Sequence, residues 1–387
     1  MKKILVTGGA GYIGSHTVKE LVTQKYDVVV IDDLRAGHRE LLPAGVVLEE
    51  VPLEDQEKVR EVFLKHEPDA VIDFAAYLAV GESMENPKKY FENNVLNFVK
   101  LLDVMKEVDC KYIVKSSTAA VYGNPTKDSD IPWKESFTEE YEPETAALLE
   151  GEWDGEKIAG EKFLQRFIAK YKDAFSDRVE LTLADDDICK LRIPLSIYGV
   201  SKVLDEIILS KYNQISGINY AALRYFNVCG ADPDGEIGEA KPKPTTLMVL
   251  AIYQALGKIP ELQVFGRDYS TPDGTGIRDY IHPSDLATGH LLAFRYLDDG
   301  NSSITLNLGT GNGASVLEVI EAVEKVSGRK IKIKDSPRRS GDPSISVADP
   351  SKANKILSWR AKYSLIDMAK TAWKWHQENP DGYKTKE

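Results

Sequence analysis

Two residues with complementary chemistry stand four positions apart in the stretch SIYGVSK, residues 196–202. Tyr198 carries a phenol and Lys202 carries an ammonium group. On a helix, positions i and i+4 lie on one face, so the two side chains are expected one turn apart. A free tyrosine titrates near pH ~10, and a neighbouring cation lowers that pKa by favouring the phenolate. The spacing therefore fits either a proton-transfer pair or an ordinary surface pair.

A hydroxyl group is expected at the end of a nearby strand. The strand predicted over residues 112–115 leads into SSTAAVYG, which places Ser117 and Thr118 at its C-terminal end. Open parallel sheets bind ligands outside the carboxyl ends of their strands. A hydroxyl there could hold a substrate hydroxyl and share a proton with Tyr198, or it could only satisfy nearby backbone groups.

Three glycines spaced three apart follow the first apolar strand, residues 4–6, in the segment TGGAGYIGS. A helical pattern over residues 16–23 comes next. Gly8 would allow a tight turn, Gly11 would let the backbone approach a pyrophosphate, and Gly14 would let helix and strand pack closely. This order of strand, glycines and helix predicts a dinucleotide-binding site.

Two carboxylates end the second predicted strand, residues 27–31. Asp32 and Asp33 stand where an adenosine ribose diol needs a hydrogen-bond acceptor, and their charge would repel a 2′-phosphate. We therefore predict NAD rather than NADP as the cofactor.

The composition limits the possible partners and compartments. A formal net charge of -12 argues against nucleic acid or an anionic membrane as the main partner. The three cysteines, Cys110, Cys189 and Cys229, have neither disulfide-framework nor zinc-site spacing, so we expect a reducing compartment and no metal. No signal peptide or transmembrane-length apolar run is recognised, and a cytoplasmic location is expected.

Alternating strand and helix patterns to about residue 225 predict an α/β fold, a doubly wound Rossmann-type parallel sheet. We expect this NAD-binding domain at residues 1–134 and 191–227, an inserted acidic lobe at 135–190, and a smaller α/β substrate domain at 228–387. The elements expected in the last domain are helices at 247–256, 283–297 and 316–327, and a strand at 304–308 that returns to the main sheet.

Several longer segments resemble the UDP-glucose 4-epimerase family within the extended short-chain dehydrogenases/reductases. They are TGGAGYIGSH, AVGES, RYFN, DGTGIRDYIH and WKWHQENPDGY, at residues 7–16, 79–83, 224–227, 273–282 and 373–383. The similarity covers nearly all of the chain except about residues 135–190. It implies interconversion of UDP-glucose and UDP-galactose with tightly bound NAD, and a homodimer.

The resemblance also implies roles for the residues introduced above. Tyr198, as the phenolate, would remove the proton from the hexose 4-hydroxyl while C4 gives a hydride to NAD, which leaves a 4-keto sugar. Lys202 would keep the phenol acidic and hydrogen-bond the nicotinamide ribose. Thr118, four residues before the tyrosine of VYG, would assist as the family's catalytic Ser or Thr.

The remaining site residues are implied by the same resemblance. Contacts with the cofactor are expected from Gly8, Gly11, Tyr12, Ile13, Gly14, Asp32, Asp33, Phe74, Ala75, Ala76, Asn93, Ser116, Ser117, Tyr198, Lys202 and Tyr225. Contacts with the UDP-sugar are expected from Thr118, Asn227, Thr246, Leu247, Phe265, Arg278, Arg339, Asp342 and Ser346. Two arginines suit a diphosphate because the planar guanidinium binds phosphate oxygens in pairs. A small residue such as Ser346 near the sugar would admit N-acetylated hexoses.

Three positions depart from the family pattern. Leu78 replaces a lysine that contacts the cofactor, Asp73 replaces a histidine, and Pro52 replaces an acidic residue near the adenine. Each lost hydrogen bond would cost roughly 0.5–3 kcal/mol, so NAD could be held less tightly.

The segment 135–190 lengthens the chain between the predicted catalytic residues. It carries 16 acidic and 7 basic side chains. Phe163, Phe167 and Tyr171 repeat at helical spacing and the residues from Val179 alternate like a strand, so we predict a small folded lobe. A lid, an oligomer contact and a surface elaboration remain open, and the sequence favours the last.

Other functions also remain open. A related nucleotide-sugar dehydratase generally carries Asp-Glu directly after the catalytic threonine, whereas Ala119 and Ala120 follow here. An ordinary dehydrogenase would exchange its cofactor with solution. A non-catalytic NAD or nucleotide-sugar sensor would keep only the fold; Leu78, Pro52 and the lobe favour it, and the intact catalytic residues oppose it.

Overall fold

The computed structural model describes residues 2–123, 131–135, 150–153, 156–159, 196–241, 244–339 and 342–383. Most of the acidic segment at 135–190 lies outside the described residues. The predicted helical and strand patterns around Phe163 and Val179 lie outside them too, as does Cys189.

The secondary structure alternates between strands and helices along most of the chain. The strands are β1 Lys3–Thr7, β2 Asp27–Ile31, β3 Val47–Glu49, β4 Ala70–Asp73, β5 Tyr112–Thr118, β6 Glu150–Trp153, β7 Glu156–Ala159, β8 Asn219–Tyr225, β9 Asn227–Val228, β10 Leu262–Phe265, β11 Ile277–Ile281, β12 Ile304–Leu308, β13 Gly313–Ser315, β14 Ile333–Ser336 and β15 Ile345–Ser346. The α-helices are α1 Tyr12–Thr23, α2 Gln56–His66, α3 Val80–Glu85, α4 Pro87–Tyr90, α5 Asn97–Glu107, α6 Ile197–Ser216, α7 Leu247–Ala255, α8 Pro283–Asp298, α9 Val316–Ser327, α10 Ser351–Leu357 and α11 Leu365–Glu378. Shorter helical turns are Arg39–Leu41, Ala119–Tyr122 and the π-turn Phe91–Leu96.

The central sheet has seven parallel strands in the order β12-β8-β5-β4-β1-β2-β3. Successive residues of β1 enter different cores, because side chains alternate across a strand. Leu5 packs with α2, α5 and α6 on one face, whereas Ile4 and Val6 pack with α1 and α8 on the other. Burial on both faces explains the continuous apolar runs of these strands. The predicted fold class is confirmed.

The strand order reverses between β1 and β4, which is where doubly wound sheets bind their ligands. The chain leaves β1 into the glycine turn at Gly8 and leaves β4 into Phe74. The two segments therefore meet at the carboxyl edge of the sheet.

Helix α6 carries both Tyr198 and Lys202. The Oγ of Ser196 accepts a hydrogen bond from the backbone N–H of Gly199 at 3.1 Å and caps its N-terminus. Gly217, with φ of +69°, ends the helix in the left-handed conformation. The cap places Tyr198 in the first turn and Lys202 one turn later, as the spacing predicted.

The residues after β8 build a second, smaller set of layers. Strands β9, β11, β13 and β15 form one small sheet, and β10 pairs with β14. Helices α7, α9 and α11 enclose a separate apolar core. Strand β12 lies at residues 304–308 and pairs with β8 in the main sheet, as predicted.

Two element boundaries differ from the sequence-based expectations by more than one residue. Helix α1 begins at Tyr12, before the predicted residues 16–23, because its first turns bury Gly14, Ser15 and His16 and lack an apolar pattern. Strand β5 continues to Thr118 instead of ending at Lys115. Within the acidic segment, the described backbone at β6 and β7 forms an antiparallel hairpin.

Candidate active site

One cleft, with a volume of about 970 Å³, opens at the reversal of strand order and continues into the smaller unit. All of the predicted site residues line it, apart from Ser117, Lys202 and Ser346. Residues predicted for the dinucleotide and residues predicted for a sugar nucleotide therefore share a single cavity.

The glycine turn is fitted to a close approach of backbone to ligand. Gly8 has φ of +66°, a conformation that side chains disfavour. A Cβ on Gly8 would lie 2.9 Å from the backbone N of Ala75, and one on Gly14 would lie 2.3 Å from the carbonyl oxygen of Gly8. Helix α1 starts after Gly11 with no capping side chain and no acidic residue in its first turn. The N-terminus of α1, the positive end of the helix dipole, is therefore able to bind a pyrophosphate.

Asp32 is held in place at the end of β2. Its carboxylate accepts hydrogen bonds from the backbone N–H of Ala10 at 3.0 Å and of Leu34 at 2.9 Å. Burial raises the pKa of Asp32, while these two hydrogen bonds lower it. The neighbouring Asp33 forms an ion pair with Arg35 at 3.2 Å, and both side chains line the cleft.

Tyr198 and Thr118 meet at the wall of the cleft. Their side chains share a hydrogen bond, and the Thr118 Oγ1 also accepts from the backbone N–H of Ala120 at 3.2 Å. The backbone N–H of Tyr198 donates to the Oγ of Ser83, which lies in the AVGES segment. The two predicted catalytic hydroxyls are thus adjacent.

The expected effect of Lys202 on Tyr198 is not what the structure shows. Burial raises the pKa of Tyr198 to about 12, and the hydrogen bond to Thr118 opposes that rise. The Lys202 Nζ instead donates to the carbonyl oxygen of Ser116 at 3.0 Å and lies 3.7 Å from an Asp205 carboxylate oxygen. Burial lowers the pKa of Lys202 to about 8, and the Lys115 cation contributes to this lowering. The prediction of a lowered Tyr198 pKa is wrong for this structure because desolvation dominates.

The Ser117 side chain faces away from the cleft, and its cofactor contact stays a prediction. Its Oγ donates to Glu206 Oε1 at 2.6 Å, and Glu206 is bound by Arg224. Side chains alternate along β5, so Ser116 and Thr118 share the cleft side while Ser117 points towards α6.

The sugar-nucleotide half of the cleft contains two arginines in different settings. The Arg278 guanidinium binds the carboxylate of Asp342 and the carbonyl oxygen of Pro343. The Arg339 guanidinium lies 4.1 Å from the ring centroid of Phe265, a cation–π contact. Arg339 is therefore a cleft residue and not only a solvated charge beside its neighbour in the sequence.

Other predicted positions vary in their environment. The Thr246 hydroxyl donates to the buried carboxylate of Glu239 at 2.9 Å, and both residues line the cleft. Ser346 pairs with Arg278 across β15 and β11 outside the cleft lining, so its contact with a sugar stays a prediction. Leu78 lines the cleft and is 47% exposed. Val51 and Leu53, on either side of Pro52, line it as well.

Sequence reasoning missed some functional candidates. Tyr77 and Arg35 line the cleft and approach each other at 3.3 Å, next to the predicted cofactor residues. Lys115 and Asp205 form a buried ion pair at 3.3 Å behind Lys202. A lysine inside the otherwise apolar strand YIVKSS was the available signal, since an isolated charge is seldom buried. In the described parts of the chain, no three His, Cys, Asp or Glu side chains converge as a metal site requires.

Comparison with known proteins agrees with this geometry. The model of the NAD dependent epimerase/dehydratase family matches residues 4–182 and 182–309. A UDP-glucose 4-epimerase of Streptococcus mutans is 40% identical over 98% of both chains. Two solved structures are also similar. The UDP-glucose 4-epimerase of Brucella ovis in complex with NAD has a TM-score of 0.80 and 35% identity, covering 97% of this chain and 98% of that one. The UDP-glucose 4-epimerase of Bifidobacterium longum in complex with NAD+ and UDP has a TM-score of 0.79 and 34% identity, covering 99% and 100%.

The fold and the site define a Rossmann-type enzyme whose cofactor is a nicotinamide dinucleotide. The chain belongs to the NAD dependent epimerase/dehydratase family, and the resemblance found in its sequence is confirmed. The residues present fit NAD: a Cβ would fill the cradle at Gly8 and Gly14, the α1 N-terminus is uncapped, and Asp32 follows β2. Of the helices that the structure describes, none combines the length and apolar character that crossing a membrane demands.

Proposed function

We propose that the chain interconverts UDP-glucose and UDP-galactose by inverting the configuration at C4 of the hexose. One observation carries the proposal: the Tyr198–Thr118 pair lies in the same cleft as the dinucleotide cradle and the Arg278–Asp342 pair. The family membership and the epimerases among the relatives support it. The homodimeric state and the cytoplasmic location stay predictions.

The bound NAD would supply the hydride chemistry, accepting hydrogen from C4 and returning it to the other face of the sugar. Gly8, Gly11 and Gly14 would hold its pyrophosphate, and Asp32 its adenosine ribose. The cofactor would also contact residues of the cleft wall such as Ser116 and Tyr225, whose hydroxyl groups hydrogen-bond each other.

Tyr198 is assigned the proton transfer at the hexose 4-hydroxyl, as base in one direction and acid in the other. Thr118 would hold that hydroxyl and stabilise the phenolate through its hydrogen bond. Lys202 would stabilise the same phenolate by charge while its own cation persists. Arg278, Arg339 and Asp342 would bind the UDP group and leave the hexose free to present either face.

The test is incubation with UDP-galactose and no added cofactor, with UDP-glucose followed by chromatography. We expect turnover, because the cofactor is regenerated in every cycle. Tyr198→Phe should abolish turnover while leaving bound NAD and folding unchanged. Full activity in that variant would contradict the proton-transfer assignment.

The same incubation separates the alternatives. A dehydratase would form a product lighter by one water, which mass spectrometry detects. A dehydrogenase would accumulate reduced cofactor when external NAD is added. A sensor would bind UDP-galactose without converting it.

A further inference from the structure

Four buried charged side chains form an alternating array behind Tyr198. Asp73 on β4, Lys115 on β5, and Lys202 and Asp205 on α6 are each about 1% exposed or less. The Lys115 Nζ lies 2.5 Å from Asp73 Oδ2 and 3.3 Å from Asp205 Oδ2. The Lys202 Nζ lies 3.7 Å from the same Asp205 Oδ2. Asp205 is therefore placed between two ammonium groups.

The fold brings these residues together through strand register and helix spacing. Asp73 and Lys115 are paired positions of the neighbouring strands β4 and β5. Lys115 lies two positions before Ser117, so both point towards α6. Asp205 follows Lys202 by three positions on α6, which puts the two side chains on one helix face.

The two carboxylates differ in what stabilises them. Asp73 accepts hydrogen bonds from the Thr7 hydroxyl and from the backbone N–H of Ala75 at 3.0 Å. In the described part of the chain, Asp205 accepts no hydrogen bond from a backbone N–H or a hydroxyl, and the polar groups nearest its carboxylate are the ammonium groups of Lys115 and Lys202. The two nearby cations offset the desolvation of Asp205, which is costly for a buried charge. A carboxylate whose polar neighbours are two ammonium groups, with no backbone or hydroxyl donor among them, is suited to an electrostatic role.

We propose that Asp205 is a positioning residue that serves as the counter-ion of Lys202 and keeps it a cation behind Tyr198, while Lys115 opposes that charge. This inference rests on the proposed function, in which the Lys202 cation stabilises the Tyr198 phenolate. The groups that act on Lys202 are Asp205 from its own helix, Lys115 and the Ser116 carbonyl from β5, and Asp73 from β4, and Tyr198 precedes Lys202 by one turn of α6.

A single substitution beside Lys202 is expected to change the charged fraction of its side chain. Burial is the largest effect on its pKa and lowers it, and the Lys115 cation lowers it further, whereas Asp205 and Asp73 raise it. The resulting pKa of about 8 is close to neutral pH, so the loss of one neighbour changes the charged fraction of Lys202 substantially.

The test compares Asp205→Asn with Lys115→Met, because the two changes act on Lys202 with opposite signs. Loss of the Asp205 charge should lower the titration midpoint of Lys202, and loss of the Lys115 charge should raise it, each by about one pH unit or more. The midpoint is read directly by NMR of protein carrying ¹³C at lysine Cε, with Lys202→Met used to assign the signal. A loss of packing alone would not move the midpoint in two directions.

Activity is a second readout. At high pH, turnover of UDP-galactose should decline at a lower pH in Asp205→Asn and at a higher pH in Lys115→Met. Asp103→Asn is the matched control, since Asp103 is a buried carboxylate on α5 that accepts from the Tyr212 hydroxyl at 2.8 Å. It should leave the Lys202 midpoint unchanged.

The outcomes separate this inference from the proposed function. An unchanged Lys202 midpoint in Asp205→Asn would overturn the counter-ion inference. If that variant does not fold, an unchanged or lowered Lys202 midpoint in Lys115→Met would overturn it instead. Midpoints that move while the pH profile of turnover stays fixed would overturn the positioning role and leave the epimerase activity standing. Midpoints that move in a chain with no epimerase activity would support the counter-ion and contradict the proposed function.

Discussion

Burial has the largest effect on the pKa of Tyr198 and raises it, the hydrogen bond to Thr118 lowers it, and the Asp205 charge adds a smaller rise. Thr118→Val removes the hydroxyl at nearly constant volume, so we expect the pKa of Tyr198 to rise further. Less phenolate would then be present at any given pH, and the low-pH limb of the turnover profile should move to higher pH. A hydrogen bond to a charged group contributes about 1.5–3 kcal/mol, which corresponds to a loss in turnover of about 10- to 150-fold at neutral pH.

Thr118→Ser provides the control for this prediction. Serine keeps the hydroxyl that bonds Tyr198 and that accepts from the Ala120 N–H, so turnover should stay close to that of the parent chain. The measurement is turnover of UDP-galactose across a pH series. A Thr118→Val profile that overlies the parent profile would show that the hydroxyl has no part in proton transfer.

Two consecutive arginines give a matched pair for the substrate end of the cleft. Arg339 lies over Phe265 in the cleft, whereas Arg338 pairs with Asp268 at 2.8 Å. Arg339→Ala should raise the KM for the UDP-sugar about 10- to 100-fold with little change in kcat, because it removes a charged contact with the diphosphate. Arg338→Ala should leave KM nearly unchanged. The measurement is the steady-state KM of both variants. Equal increases in KM would contradict the assignment of Arg339 to the diphosphate.

The sequence predicted most cleft residues because their positions lie within long motifs, but it did not predict electrostatic environments. The orientation of the Ser117 side chain away from the cleft could have been predicted from the alternation of side chains along β5, since Ser116 and Thr118 occupy the other face. The raised pKa of Tyr198 could not have been predicted from Lys202 alone. It depends on burial and on Asp205, and these follow from the packing of distant elements.

At the scale of elements, the contact between α1 and the glycine turn depends on a missing side chain. A Cβ on Gly14 would lie 2.3 Å from the carbonyl oxygen of Gly8, so Gly14→Ala must push the helix away from the turn. Overpacking of this kind costs about 1–3 kcal/mol. We expect a lower Tm and loss of bound NAD, measured by thermal unfolding and by chromatography of the released cofactor.

Gly81→Ala is the control for that prediction. A Cβ on Gly81 in α3 would meet no atom within 4 Å, and alanine favours a helix more than glycine does. That variant should keep its NAD and be as stable as the parent chain or slightly more so. If Gly14→Ala also kept its NAD, close packing at the cradle would not be required for cofactor binding.

Element boundaries were predictable where an apolar period was present. The strand β2 and the helix α9 agree with their patterns because each has a continuous or periodic apolar face. Helix α1 was predicted too short, since Gly14, Ser15 and His16 are buried without being apolar. These residues are buried because the helix packs closely on the glycine turn beside the ligand cleft. A periodic pattern of apolar residues does not indicate burial of that kind.

At the scale of the whole molecule, the acidic segment is attached to a well-packed part of the sheet. The Trp133 ring stacks on Tyr122 with centroids 5.1 Å apart, and its backbone N–H donates to the Val347 carbonyl at 2.8 Å. The Glu135 carboxylate accepts from the backbone N–H of Asn307 at 2.8 Å. These contacts join the start of the segment to β12 and to the residues after β15.

Removal of residues 137–187 with a short linker should therefore leave the NAD cleft intact, because the anchors at Trp133 and Glu135 and the cap at Ser196 are retained. If the segment is a surface elaboration, as the sequence favours, we expect soluble protein with the same NAD content and the same KM for UDP-galactose. A matched deletion of residues 131–187 also removes Trp133, whose loss alone should cost about 3–5 kcal/mol of stability. The two deletions are compared by cofactor analysis, thermal unfolding and kinetics, which distinguish a surface elaboration from a lid or a part of the folded core. A raised KM in the shorter deletion would favour a lid, and loss of soluble NAD-bound protein would show that the segment is part of the folded core.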